Sequence, residues 1–282
     1  MIKVIFDGGA TSTKVAIIRD KTLTYNALDG FNPQHGDWLS FQSQLTVFFN
    51  ALSNRPESIR YYGAGMSTPI LIQQMKSCLQ QSSGLYADEI TVDSDLMACC
   101  HAVYRDQPVI TGILGTGSNI GYFDGNAITR QTPSLGYLMG DEGSGVDIGR
   151  RILQAYFYHR LPEQVMDDLQ DNYEITYDNF LENTYVTNNF RAFASTLAPI
   201  ATKYASDDIM NQIIVASLTD FVKNRMMAEC LAYPDVSEVY MFGSISSVFE
   251  AHLTTAMESC GLQHSLYTAS NALEVMINRH VD

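Results

Sequence analysis

At 282 residues, 46% of them apolar and 17% charged, the chain has globular composition and room for one large domain or two of ordinary size. A formal net charge of -14 argues against nucleic acid or an anionic membrane surface as partner, because both repel an acidic surface. It does not exclude a nucleotide, since a phosphate site is built locally from backbone N–H groups and a metal ion. The five cysteines (Cys78, Cys99, Cys100, Cys230 and Cys260) make no CxxC pair and no zinc-type spacing with histidine, and an odd count suits a reducing compartment. The opening Met-Ile-Lys runs straight into a strand without a leader-like pattern, and no apolar run approaches the ~18 residues that span a bilayer. A cytoplasmic protein is expected.

Ile2 to Phe6 and Lys14 to Arg19 are β-type runs separated by small residues, which predicts a hairpin. Trp38 to Leu52 has the apolar spacing of an amphipathic helix. Ile59 to Gly63 reads as a strand, Ile70 to Gln81 as a helix, Ile90 to Val92 as a strand, and Leu96 to Tyr104 as a helix. Val109 to Leu114 is a buried strand that ends at Gly115-Thr116-Gly117-Ser118-Asn119, and Ile120 to Phe123 is its return strand. This second strand, Gly/Thr turn and strand repeats the opening of the chain and suggests an internal duplication. Val146 to Leu231 is mainly helical; Val239 to Phe242 is a strand, Val248 to Cys260 a helix, Leu266-Tyr267 a strand and Ala272 to Arg279 a helix.

Three glycine-bearing turns stand at the C-terminal ends of predicted strands: Asp7-Gly8-Gly9-Ala10-Thr11-Ser12-Thr13, Gly115 to Asn119, and Gly243-Ser244-Ile245. Glycine lets the backbone approach an anion, and Thr or Ser adds hydroxyl donors. One such turn is usually structural; three in one chain point to phosphates. Neither GxxxxGK[ST] nor GxGxxG is present, so the site is not of P-loop or Rossmann type.

On these residues the sequence resembles the sugar-kinase, chaperone and actin ATPase superfamily, and within it the N-acetylglucosamine kinases and the wider BadF/BadG-type ATPases. The resemblance is carried by FDGGATSTKVAII (Phe6 to Ile18), SDLMACCHA (Ser94 to Ala102), ILGTGSNIGYFDG (Ile113 to Gly125) and SLGYLMGDEGSG (Ser134 to Gly145). It covers the chain from Ile2 to about Ser247, and the pairing of GTGSN with GDEGS is its most specific part. It implies an α/β fold of two ribonuclease H-like (actin-like ATPase) domains around a nucleotide- and sugar-binding cleft, one over residues 1–112 and one over 113–266 with a helical insertion. The terminal helix, within 267–282, is expected to return to the first.

The resemblance also implies the site. Asp7 would hold magnesium through water. Gly8, Gly9, Thr11 and Thr13 would cradle the β- and γ-phosphates of ATP, Thr116 and Gly117 would close on them, and Gly243 and Ser244 would contact the adenosine. Asp95 would be the general base for the attacking hydroxyl; it is preferred to Asp93 because it stands directly before the helix. Asn32, Ser118, Asn119, Leu135, Gly136 and Asp141 would contact an amino sugar, with Leu135-Gly136 on the acetamido side. Read without the resemblance, Asn32 is a turn residue. The expected activity is phosphorylation of an amino-sugar hydroxyl, N-acetylglucosamine to its 6-phosphate, with ATP and Mg2+. The alternatives are a BadF-type ATPase and a non-catalytic sugar or nucleotide sensor. Relatives carry a further glycine near the last helix, where this chain reads Ser270-Asn271-Ala272-Leu273-Glu274. A homodimer through the helical second half is compatible with this reading.

Overall fold

The computed structural model describes residues 2–9, 12–20, 22–34 and 36–281. The strands are β1 (Ile2–Gly8), β2 (Ser12–Arg19), β3 (Thr22–Asp29), β4 (Ser58–Gly63), β5 (Ile90–Ser94), β6 (Val109–Leu114), β7 (Ser118–Phe123), β8 (Ile128–Thr129), β9 (Glu238–Phe242) and β10 (Ser265–Ala269). The helices are α1 (Trp38–Ala51), α2 (Pro69–Ser83), α3 (Asp95–Val103), α4 (Gly136–Met139), α5 (Gly145–Phe157), α6 (Glu163–Tyr173), α7 (Tyr177–Leu181), α8 (Phe190–Ser195), α9 (Ala198–Lys203), α10 (Asp208–Phe221), α11 (Met227–Ala232), α12 (Ser244–Val248), α13 (Glu250–Ser259) and α14 (Ala272–Val281). Two π-helical turns, Glu182–Val186 and Val222–Met226, interrupt the long helical stretch.

The chain divides into two units, Met1–Val103 with Ala272–Asp282, and Tyr104–Asn271. The boundary falls ahead of the expected residue 112, because β6 pairs along its whole length with β7 and from Ile110 to Ile113 with β9, both of the second unit. Likewise β10 pairs with β9, so the chain returns to the first unit only at Ala272, not at 267.

Each unit holds one five-stranded mixed sheet. The orders are β3-β2-β1-β4-β5 and β8-β7-β6-β9-β10, the same arrangement twice. In both, the first three strands form an antiparallel meander and the last two join in parallel. Parallel joins need crossover connections, and α1 and α2 supply them in the first unit. The suggested duplication is therefore present in strand order and sense.

Local sequence explains these elements. Asp37 caps α1 by accepting from the N–H groups of Leu39 and Ser40, and Phe41, Leu45, Phe48 and Phe49 form its buried stripe. Thr68 caps α2, Pro69 occupies its first turn, and Gly84 at φ 71° ends it. These helices pack on the face of the first sheet that carries Val4, Phe6, Val15, Ile59, Tyr61 and Val92. Tyr62, on the opposite face from Tyr61, meets His101 of α3, where its hydroxyl and Nδ1 are 2.9 Å apart. Helix α14 packs against α3. In the second unit, Ile110, Leu114, Ile120, Val239 and Met241 of the sheet bury against Ile148 and Ile152 of α5, Ile214, Leu218 and Phe221 of α10, and Leu253 of α13.

The expected helix from Val248 to Cys260 is in fact α12 and α13, broken at Phe249. Strand β3 was not read from the sequence, since most of its residues are exposed and it carries no alternation.

Candidate active site

In the first unit Asp7 lies at the C-terminal end of β1 and Asp95 directly after β5. Asp7 is paired with Lys14 of β2 and Tyr62 of β4. Burial raises its carboxyl above the ordinary range, and the Lys14 ammonium opposes that rise. The turn after β1 is closed by Gly9 N–H donating to the Ser12 carbonyl at 3.0 Å. Gly8 carries no side chain because a Cβ there would strike the Tyr61 hydroxyl. Thr13 is fully buried, and among the described residues neither its hydroxyl nor that of Tyr61 has a partner. Thr11 lies outside the described residues.

Ser94 rather than Asp95 closes the first turn of α3, its hydroxyl accepting from Met97 N–H at 3.2 Å. Asp95 is the first helical residue, and its Oδ1 accepts from Leu96 N–H at 2.8 Å. Cys99, one turn on and fully buried, has its thiol pushed well up, by burial first and then by the nearby acidic groups of Asp95, Cys100 and Asp7. Asp93 lies on β5 opposite Tyr62; burial raises its carboxyl and Arg60 opposes the rise. Asn32 forms an Asx turn, its Oδ1 accepting from Gln34 N–H at 2.9 Å, and Phe31 N–H ties this loop to the Gly9 carbonyl at 3.1 Å.

In the second unit the Gly115 turn, the GDEGS segment and the Gly243 turn meet at the ends of β6 and β9. The tight turn is Gly115 to Gly117, with Gly115 N–H donating to the Gly117 carbonyl at 3.0 Å. Its other carbonyls receive the first amides of α5: Gly145 N–H to Gly115 O at 2.8 Å and Val146 N–H to Thr116 O at 3.2 Å. The GTGS and GDEGS segments are thereby one structural piece. Gly243 adopts φ 109°, and a Cβ on it would overlap the Leu114 carbonyl, so the turn after β9 presses against the start of the Gly115 turn. Thr116 and Ser244 are exposed.

Ser118 and Asn119, expected in the turn, are the first two residues of β7. Successive strand residues face opposite ways, so their side chains diverge. The Ser118 hydroxyl is buried, without a partner among the described residues. Asn119 Oδ1 accepts from Arg130 Nε at 3.3 Å. Asp141, only 5% exposed and at φ 57°, accepts from Ser118 N–H at 3.3 Å. Burial raises its carboxyl; the Ser118 N–H, then Arg191 and Arg225, pull it back. Leu135 is exposed at 56% and precedes Gly136, which opens α4 at φ 67°.

Around Asp141 stand Arg191, Arg225 and its motif neighbour Glu142, and Glu229 lies beside Arg225. Arg225, 4% exposed, lies in the π-helical turn and donates from Nε to Thr132 Oγ1 at 3.0 Å. Glu229 is fully buried and accepts from Gln131 N–H at 2.7 Å. Glu142 accepts from Asn224 at 3.1 Å. Arg191 of α8 brings Nη2 beside Gly117. No spacing signal in the helical stretch singles out Arg191, Arg225 or Glu229.

No protein-family model matches the chain, and no curated protein matches it in sequence. Solved structures do. The protein called "Putative N-acetylglucosamine Kinase" from Porphyromonas gingivalis superimposes with a TM-score of 0.86 at 24% identity, over 100% of this chain and 99% of that one. The protein of the same name from Chromobacterium violaceum gives 0.71 at 18% identity, covering 98% of each chain. A ROK family glucokinase from Streptomyces griseus, solved with glucose and AMPPNP, gives 0.61 at 13% identity, over 98% of this chain and 97% of that one. The likeness establishes the fold, which the chain shares with sugar kinases over nearly the whole length of both partners. Among the described residues no helix is long and apolar enough to cross a membrane.

Proposed function

We propose that the chain is an ATP-dependent kinase that phosphorylates the 6-hydroxyl of N-acetylglucosamine. The observation that carries this reading is the placement of Asp7 at the end of β1 and of Asp95 directly after β5, the two strands that flank β4 in one sheet. The glycine turns at the ends of β6 and β9 and the sugar-kinase likeness of the fold support it. So does the glucose and AMPPNP complex of the Streptomyces griseus neighbour, AMPPNP being an ATP analogue.

In this mechanism Gly8, Gly9, Thr11 and Thr13 are phosphate-binding residues, as are Thr116 and Gly117, and Gly243 and Ser244 are adenosine-binding ones. Asp7 fits a magnesium role, because a cation beside its half-buried carboxyl would offset the burial that raises it. Mg2+ keeps waters and phosphates among its ligands, so a single carboxylate from the protein suits it. When bound, the ion neutralises charge on the β- and γ-phosphates.

Asn32, Ser118, Asn119, Leu135, Gly136 and Asp141 take the sugar, Asp141 accepting from its hydroxyls and Leu135 offering apolar surface to the acetamido methyl. Asp95 accepts the proton of the attacking hydroxyl. As the sugar oxygen bonds to the γ-phosphorus, the bond to the β–γ bridging oxygen breaks and its electron pair leaves with ADP. Titration calorimetry tests the first requirement: Mg-ATP binds to the purified chain, and an absence of binding with magnesium present removes the kinase reading.

A further inference from the structure

We propose that Arg191 is a further catalytic residue, a guanidinium that engages the transferred phosphoryl group at the Gly117 turn; this rests on the kinase reading. An ideal Cβ on Gly117 would lie 3.0 Å from Asp141 Oδ2 and 3.4 Å from Arg191 Nη2. The glycine therefore keeps the turn's backbone open to a carboxylate and a guanidinium at once.

Arg191 makes no salt bridge within 4 Å to any carboxylate among the described residues, and its Nε is buried there without an acceptor. A buried guanidinium donor left unpaired is costly unless something else supplies the acceptor. Arg225, whose Nη2 is likewise buried without a partner among the described residues, is anchored at Nε by Thr132 and stands among the carboxylates of Glu142, Asp141 and Glu229. Arg191 shares the charge of Asp141 but has its Nη2 at the turn.

The position of Arg191 is also fixed. Gly149 of α5 lacks a Cβ where the Ala194 carbonyl of α8 approaches, so the two helices lie in backbone contact. The first amides of α5 in turn hold the carbonyls of Gly115 and Thr116. Turn, α5 and α8 form one piece, and a donor preset on such a piece stabilises developing charge without reorganising at the moment of transfer. The planar fork of arginine matches phosphate oxygens two at a time.

The test uses the full chain and its Arg191→Gln and Arg191→Lys variants, with thermal melting to establish folding. Turnover is measured together with calorimetric affinities for AMPPNP, ADP and N-acetylglucosamine in the presence of magnesium. Arg191→Gln lowers kcat by about 10²–10³-fold, the usual cost of one preset charge-stabilising donor. It weakens AMPPNP relative to ADP by roughly tenfold and leaves sugar affinity within about threefold. Arg191→Lys recovers part of kcat, because it restores the charge without the fork. If Arg191→Gln instead weakens the sugar while the AMPPNP to ADP ratio is unchanged, Arg191 serves Asp141 and the proposal fails. A wild-type level of turnover in the variant overturns it too, with the kinase reading intact. A wild-type chain that neither binds nucleotide nor turns over takes down both.

Discussion

Replacing Asp141 by Asn separates what the residue costs the fold from what it does for the substrate. The exchange keeps size and shape, the left-handed φ of 57° is one that Asn tolerates, and an amide oxygen can still accept from Ser118 N–H. What changes is charge. Burial holds this carboxyl above its ordinary range, so the folded protein binds its proton more tightly than the unfolded chain does. For a group raised in this way, ionisation at neutral pH costs stability, and the cost fades as pH falls through the folded pKa. Asp141→Asn should therefore melt higher than the wild type near pH 7, with the difference shrinking toward pH 4. The same substitution removes a charged acceptor from the sugar, at about 1.5–3 kcal/mol, so the affinity for N-acetylglucosamine should fall roughly 10- to 150-fold. ATP affinity should be nearly unchanged. Thermal melts across pH together with calorimetry of the sugar check both halves. A variant that melts lower at pH 7, or one with wild-type sugar affinity, refutes the reasoning.

Asp95→Asn should reduce turnover by on the order of 10²–10⁴-fold with small changes in ATP and sugar affinity, while Asp93→Asn should be mild; steady-state kinetics decide. The reverse order would move the base to Asp93, and equal small effects would favour binding without turnover. Asn119→Ala should weaken sugar binding by roughly 0.5–1.5 kcal/mol without affecting ATP, which calorimetry reads directly. Gly243→Ala should destabilise the protein by about 2 kcal/mol or more, seen as a lower melting temperature, because φ 109° is strained for alanine and the Leu114 carbonyl blocks its Cβ.

The parts of this molecule legible in its sequence are those where local chemistry decides. The hairpin of β1 and β2, the amphipathic stripe of α1 and the Gly/Thr turns announce themselves through alternation, period and glycine. The repeat of strand, turn and strand was visible only as a resemblance between two turns. Its full extent, five strands in one order twice, depends on long-range pairing such as β6 with β9, which no local pattern encodes. Strand β3 escaped notice because an exposed edge strand needs no apolar alternation. Ser118 and Asn119 read as one turn motif, yet membership of β7 sends their side chains to opposite faces. The surroundings of Asp141 were hidden for a different reason. Arg191 lies on α8, and Arg225 and Glu229 one turn apart on the helical run from Val222 to Ala232; only tertiary packing brings the two arginines beside Asp141.

The most direct measurement is an ADP-release assay with Mg-ATP across a panel of hexoses and amino sugars, with the product of the best substrate identified by phosphorus-coupled NMR. The account predicts that N-acetylglucosamine stimulates ADP release above every other sugar in the panel and that phosphate appears on its O6. If no sugar raises ADP release above the sugar-free rate, the chain is not a sugar kinase and the central claim is wrong.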